Sequence, residues 1–139
     1  MGRSEREAAL QRIRIVLADD NPAILEAVRK ILRKDFIVAA VLPDGESVLR
    51  EASNLNPDLI VIDISMGELS GIEVAQRLSE RGCPAKIVFL TVHEAPEFVK
   101  AAFEAGAAAY VFKIRLATDL ILAIHAVCEG RSFVSSRAV

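Results

Sequence analysis

The chain has 139 residues, 53% of them apolar, and a formal net charge of -2. That length and composition fit one compact domain and exclude a disordered chain, and the near-balanced charge gives no basic footprint for nucleic acid. No apolar run reaches the roughly 18 residues of a membrane span, and the opening Met1-Gly2-Arg3-Ser4-Glu5-Arg6-Glu7 leads into no apolar stretch of the signal-peptide type, so a cytoplasmic protein with no membrane partner is expected.

Residues 1–12 read as an N-terminal extension that either lengthens a helix or frays. A first strand is expected at about 13–18, closing on Asp19 and Asp20. Pro22 suits the first turn of a helix whose Leu25, Val28 and Leu32 share one face. A second strand at about 36–42 leads to Asp44, a natural cap for a helix with Val48, Ala52 and Leu55 as its stripe. Asn56-Pro57 ends that helix, and a third strand at 58–63 closes on Asp63. The next helix runs from about Ser70 to Glu80 and stops at Gly82-Cys83-Pro84. The strand at 86–91 closes on Thr91, the helix from about Pro96 to Ala105 ends at Gly106, and the strand at 108–113 closes on Lys113. A last helix from about Ala117 to Glu129 turns Leu120, Ile121, Ile124 and Val127 inward and ends at Gly130. Residues 131–139 carry no pattern and read as a tail or the start of a linker.

Strand and helix thus alternate five times, and the strands are near-continuous apolar runs, as expected when helices cover both faces of a parallel sheet. The domain is placed at 13–130. Cys83 and Cys128 are too few and too isolated for a disulfide framework and read as small buried hydrophobes.

In an open parallel sheet, ligands bind beyond the carboxyl ends of the strands. Four strand ends would bring Asp19, Asp20, Asp63, Thr91 and Lys113 to one rim. Crowded carboxylates call for a compensating cation, and an all-oxygen set suits Mg2+, which takes one or two carboxylates and keeps several waters. A strand-end Asp63 can act as a nucleophile toward phosphorus. Phosphoryl transfer needs positioning and charge neutralisation, which a lysine and a hydroxyl supply. Taken singly, Asp19-Asp20 reads sooner as a polar loop with a helix cap, Lys113 reads as a solvated strand-end lysine, and Thr91 can be a capping hydroxyl. It is their joint placement that is specific.

The ordered pieces Leu17-Ala18-Asp19-Asp20-Asn21-Pro22, Asp58-Leu59-Ile60-Val61-Ile62-Asp63-Ile64-Ser65-Met66, Leu69-Ser70-Gly71, Ile87-Val88-Phe89-Leu90-Thr91-Val92-His93 and Ala105-Gly106-Ala107-Ala108-Ala109-Tyr110-Val111-Phe112-Lys113 resemble the receiver domain of two-component response regulators. The ending Ala123-Ile124-His125-Ala126-Val127-Cys128-Glu129-Gly130 is most similar to receivers of the NarL/LuxR-type subgroup, which usually carry a C-terminal helix-turn-helix domain. The resemblance implies a flavodoxin-like (βα)5 fold with a five-stranded parallel sheet in the order 2-1-3-4-5. It implies that Asp63 is the phosphoacceptor, and that Mg2+ is held by Asp20, Asp63 and the backbone carbonyl of Ser65, with Asp19 acting through water. Lys113 is implied to pair with the phosphoryl oxygens, and Thr91 and Tyr110 to form the switch pair. The implied phosphoryl source is a histidine kinase or phosphotransfer protein; a homodimer is a separate possibility, and the near-balanced charge argues against direct nucleic-acid binding by this domain.

Two positions depart from the family pattern. Gly67 stands where the family usually has proline, which predicts a looser loop beside Asp63. Ile114 stands where a proline, reached through a cis bond, often follows the lysine, and a non-proline cis bond costs about 3–4 kcal/mol, so a trans bond or held strain is expected. His93 and Ser65 would border the site, and no second histidine supports His93 as a metal ligand. Two other functions compete. A pseudo-receiver would typically have lost an acid or the lysine, and all are present. A phosphatase with an aspartyl nucleophile commonly has a second acid two residues on, where this chain has Ser65. No Gly-x-Gly-x-x-Gly loop marks a dinucleotide site.

Overall fold

The computed structural model describes residues 5 and 12–136. The N-terminal extension expected at 1–12 therefore lies almost wholly outside the described residues. Elements alternate as expected: β1 (Arg14–Ala18), α1 (Pro22–Leu32), β2 (Ile37–Leu42), α2 (Gly45–Leu55), β3 (Leu59–Ile62), α3 (Gly71–Glu80), β4 (Lys86–Thr91), α4 (Pro96–Glu104), β5 (Ala107–Phe112) and α5 (Leu116–Cys128). A 3-10 turn, Lys113–Arg115, joins β5 to α5.

The caps explain several boundaries. Asn21 Oδ1 accepts from the backbone N–H of Ala23 and Ile24 at 3.0 and 3.3 Å, with Pro22 in the first turn, where its missing donor costs nothing. Asp44 accepts from Ser47 N–H at 2.8 Å, and Ser70 Oγ from Glu73 N–H at 3.2 Å. Asn56 ends α2 in the left-handed conformation that asparagine tolerates.

All strand pairs are parallel, in the order 2-1-3-4-5-6. The expected five-stranded order 2-1-3-4-5 is correct but incomplete. Phe133–Val134 forms a sixth strand, β6, beside β5, where Ala109 pairs with Phe133 and Tyr110 with Val134. Residues 133–134 are thus part of the sheet and cover a stretch of the β5 edge that would otherwise leave backbone groups unpaired.

Side chains alternate across the sheet with period two. Val16, Ile60, Ile62, Phe89 and Tyr110 face a core shared with α2, α3 and α4. Ile15, Leu17, Val61, Val88, Leu90 and Val111 face a second core closed by Val28 and Leu32 of α1 and Leu120 and Ile124 of α5. Each such buried aliphatic side chain contributes about 1.5–3 kcal/mol of transfer free energy. The outer strand β2 departs from the expectation of strands covered on both faces, since Ile37 and Val41 are exposed at the sheet edge. Neither cysteine is a buried core residue: Cys83 is half-buried and Cys128 is exposed.

Strand β1 lies between β2 and β3, so the winding direction reverses beside it. The crevice beyond the carboxyl ends of β1 and β3 is where such a sheet accommodates a ligand.

Candidate functional site: an acidic rim with one lysine

Asp19 follows β1, Asp63 follows β3 and Lys113 follows β5, and the three side chains meet at the reversal point. Lys113 Nζ lies 2.8 Å from Asp19 Oδ2 and donates to Asp63 Oδ2 at 3.0 Å. Asp19 also accepts from Asn21 N–H at 2.9 Å, which ties the β1–α1 loop to the site. Carboxylate oxygens of Asp19, Asp20 and Asp63 fall within 4.8 Å of one another, Asp20 being the exposed member.

Burial governs the electrostatics. It pushes the Asp19 carboxyl above its ordinary value, and the hydrogen bonds from Lys113 and Asn21 offset that only in part. Burial acts to lower Lys113, but hydrogen bonds to Asp19 and Asp63 prevail and hold its pKa above the usual lysine value. One ammonium thus meets two of the three clustered acids. Asp63 is 4% exposed, and its Oδ1 is buried with no hydrogen-bond partner among the described residues. A buried carboxylate oxygen left unpaired is costly. The all-oxygen donors, their mutual distances and this orphaned atom fit a hard divalent cation of the Mg2+ type.

The loop after Asp63 is fixed by packing and by one close approach. Ile64 and Met66 are buried, and Gly71 N–H donates to Ile64 C=O at 2.8 Å. A Cβ on Gly71 would stand 2.0 Å from Asp63 C=O, so only glycine lets α3 begin this close to the strand end. Gly67 has φ +69°, a conformation closed to proline, so its loop takes a different local path from one with proline there.

Thr91 and Tyr110, the expected switch pair, are both fully buried. Tyr110 packs inward against Phe89 and Phe112, and its hydroxyl donates to His93 C=O at 2.8 Å. Burial pushes the phenol pKa far above its usual value, so it remains a donor. His93 ties three parts of the rim together. Its carbonyl takes the Tyr110 bond, its Nε2 lies 2.8 Å from Ser65 Oγ, and its ring stacks on Phe98 of α4 with centroids 4.2 Å apart. Through the Ser65 contact the loops after β3 and β4 meet.

The Lys113–Ile114 bond is trans, as is every peptide bond among the described residues, which resolves the open expectation at that position. Sequence reasoning missed a buried polar cluster behind Lys113. Asp119 Oδ2 accepts from Arg115 Nε at 2.9 Å and from Ser135 Oγ at 2.7 Å, and Ser135 Oγ accepts from Phe112 N–H at 3.1 Å. The Arg115/Asp119 spacing of four residues was the available signal. Nothing local marked Ser135.

A flavodoxin-like sheet with this rim of acids and one lysine defines a domain of the receiver class. The sequence model described as the response regulator receiver domain matches residues 15–125, and the chain belongs to that family. It is 35% identical over 123 residues to the uncharacterized transcriptional regulatory protein YxjL of Bacillus subtilis, covering 87% of this chain and 56% of that protein. It is 31% identical over 123 residues to the nitrate/nitrite response regulator NarL of Escherichia coli, covering 87% and 57%. A crystal structure of a LuxR-family two-component response regulator from an Aurantimonas species superposes with a TM-score of 0.83 at 32% identity, covering 88% of this chain and 89% of that one. These relatives are of the NarL/LuxR type, and the chain spans a little over half the length of the curated ones it matches. Among the described residues no helix is long and apolar enough to cross a membrane.

Proposed function

We propose that this receiver domain accepts a phosphoryl group on Asp63 from a histidine kinase or phosphotransfer protein, with Mg2+ held by Asp20, Asp63 and the Ser65 carbonyl and supported through water by Asp19. The observation that carries the reading is the state of the Asp63 carboxylate. One oxygen is held by Lys113 at 3.0 Å, and the other is buried without a partner among the described residues, beside two further acids. The Asp63 carboxylate attacks phosphorus, the donor's leaving group departs, and an acyl phosphate forms. Lys113 then pairs with the phosphoryl oxygens, for which its raised pKa keeps it charged. Bound Mg2+ supplies neutralisation of the acidic oxygens during transfer.

The acyl phosphate draws in the Thr91 hydroxyl, a local electrostatic event that biases a two-state element. Tyr110 and its bond to His93 C=O are the mobile partners of that step. The readout surface is α4, β5 and α5, through which the domain self-associates or docks a partner. The similarity to transcriptional regulators supports a cytoplasmic regulatory domain of a transcription regulator, with DNA binding left to a separate domain. Incubation with acetyl phosphate tests the reading. Intact mass gains one phosphoryl group with Mg2+ and none when the metal is chelated. Asp20→Ala shifts the Mg2+ requirement upward. Labelling that ignores Mg2+ would contradict it.

A further inference from the structure

Lys113 has to reach two carboxylates from the end of a strand, and its own loop gives little to hold it. Ile114 follows through a trans bond and is 84% exposed, so it fastens nothing. The fastening lies on either side. Immediately before Lys113, Phe112 N–H donates to Ser135 Oγ at 3.1 Å. Two residues after it, Arg115 Nε donates to Asp119 Oδ2 at 2.9 Å, while Thr118 Oγ1 donates to Arg115 C=O at 3.2 Å. Ser135 Oγ closes the circuit by donating to the same Asp119 oxygen at 2.7 Å. Asp119 and Ser135 are both 4% exposed. Ser135 is itself placed by its N–H, which donates to Tyr110 C=O at 2.9 Å, and by β6 before it.

We propose that Ser135 and Asp119 are positioning residues for Lys113, and that the C-terminal segment in which Ser135 follows β6 is a working part of the phosphoacceptor site; this rests on the reading of Asp63 as phosphoacceptor. A hydroxyl that accepts from Phe112 and donates to Asp119 holds both flanks of Lys113 to one buried carboxylate. Only the side chain of Lys113 remains to choose its direction, and it points at Asp19 and Asp63. The same bonds make the tail and the site reciprocal. Whatever fixes Lys113 on a phosphoryl group favours the docked tail, and the docked tail favours Lys113 in place.

The test compares acetyl phosphate labelling rates of the parent chain, Ser135→Ala, Asp119→Asn, Lys113→Ala and the double variant Lys113→Ala/Ser135→Ala. Ser135→Ala is expected to slow labelling about tenfold, since small misplacements of a reacting group carry losses of this order or more. The half-saturating Mg2+ concentration stays as in the parent, because the acids are untouched. In the Lys113→Ala background the serine change adds nothing, which a merely structural role would not produce. Asp119→Asn, which keeps an oxygen for Ser135 but loses the Arg115 ion pair, gives a smaller loss of the same sign and stands in if Ser135→Ala does not fold. Labelling of Ser135→Ala, or of Asp119→Asn where it stands in, within twofold of the parent overturns the inference, as does an equal fold-loss with and without Lys113. A parent chain that takes no phosphoryl group overturns the phosphoacceptor reading itself.

Discussion

The Lys113 ammonium donates to Asp63 Oδ2 at 3.0 Å, and the same nitrogen lies 2.8 Å from Asp19 Oδ2. One cation therefore holds two buried acids that would otherwise repel, and its side chain is only 12% exposed. Removing it leaves uncompensated charge. Lys113→Met is expected to lose about 2 kcal/mol, less than the 3–5 kcal/mol of a fully buried pair because the rim opens to water. Mg2+ takes over part of the lost neutralisation. Thermal unfolding with and without Mg2+ checks this: the metal raises the Tm of Lys113→Met more than that of the parent. Equal metal responses would count against a shared acidic site.

Gly71 supports Asp63 from below. An added Cβ would meet Asp63 C=O at 2.0 Å, backbone that cannot swing aside. Gly71→Ala is expected to cost about 3 kcal/mol, at the upper end of ordinary overpacking, and to slow labelling of Asp63. Urea denaturation midpoints and labelling rates check the pair of effects. A stable variant with full labelling speed would mean that α3 does not fix the acceptor.

Asp119 gives a pH signature. Burial alone would raise its pKa, but hydrogen bonds from Ser135, Arg115 and Thr118 outweigh it and hold the carboxyl below its ordinary value. A depressed folded value means stability that is fully present above the unfolded pKa of about 3.9 and lost as pH falls through the lower folded value. Asp19 acts with the opposite sign, since its carboxyl is raised. The comparison must therefore be with Asp119→Asn. The variant is less stable than the parent at pH 6, and the gap closes as pH drops below about 4. Denaturant midpoints across that range read it directly, and a gap independent of pH would rule out the ionised clamp.

How far the sequence revealed these features depends on the kind of signal each carries. The rim residues were legible because each ends an apolar run, and a parallel sheet sends all such ends to one side. Helix starts were legible at Pro22, Asp44 and Ser70 because first-turn and cap preferences are local chemistry. Strand β6 was not, since two residues have no period and Phe133–Val134 is a strand only through pairing with β5. Ser135 was invisible for the same reason, as its partners Phe112 and Asp119 lie 23 and 16 residues away. The inward setting of Tyr110 is a rotamer chosen by packing against Phe89 and Phe112. The exposure of Ile37 and Val41 follows from strand order, which periodicity does not carry.

Leu122 lies on the outer face of α5, where it is 58% exposed. Thr118 beside it is also exposed and His125 is half-buried against Phe36, but Ala126 is buried. Leu122→Glu is expected to change monomer stability by less than about 0.5 kcal/mol, as for an ordinary surface site. It weakens any gain in self-association brought by beryllofluoride. Sedimentation of both proteins with and without the mimic checks this, and an undiminished gain would take Leu122 out of the interface.

The central claim is that Asp63 is the phosphoacceptor, and its most direct test is intact-mass analysis of the parent and Asp63→Asn after incubation with acetyl phosphate and Mg2+. The account predicts one added phosphoryl group on the parent and none on the variant. Equal labelling of Asp63→Asn, or none on a folded parent with Mg2+ present, would contradict it.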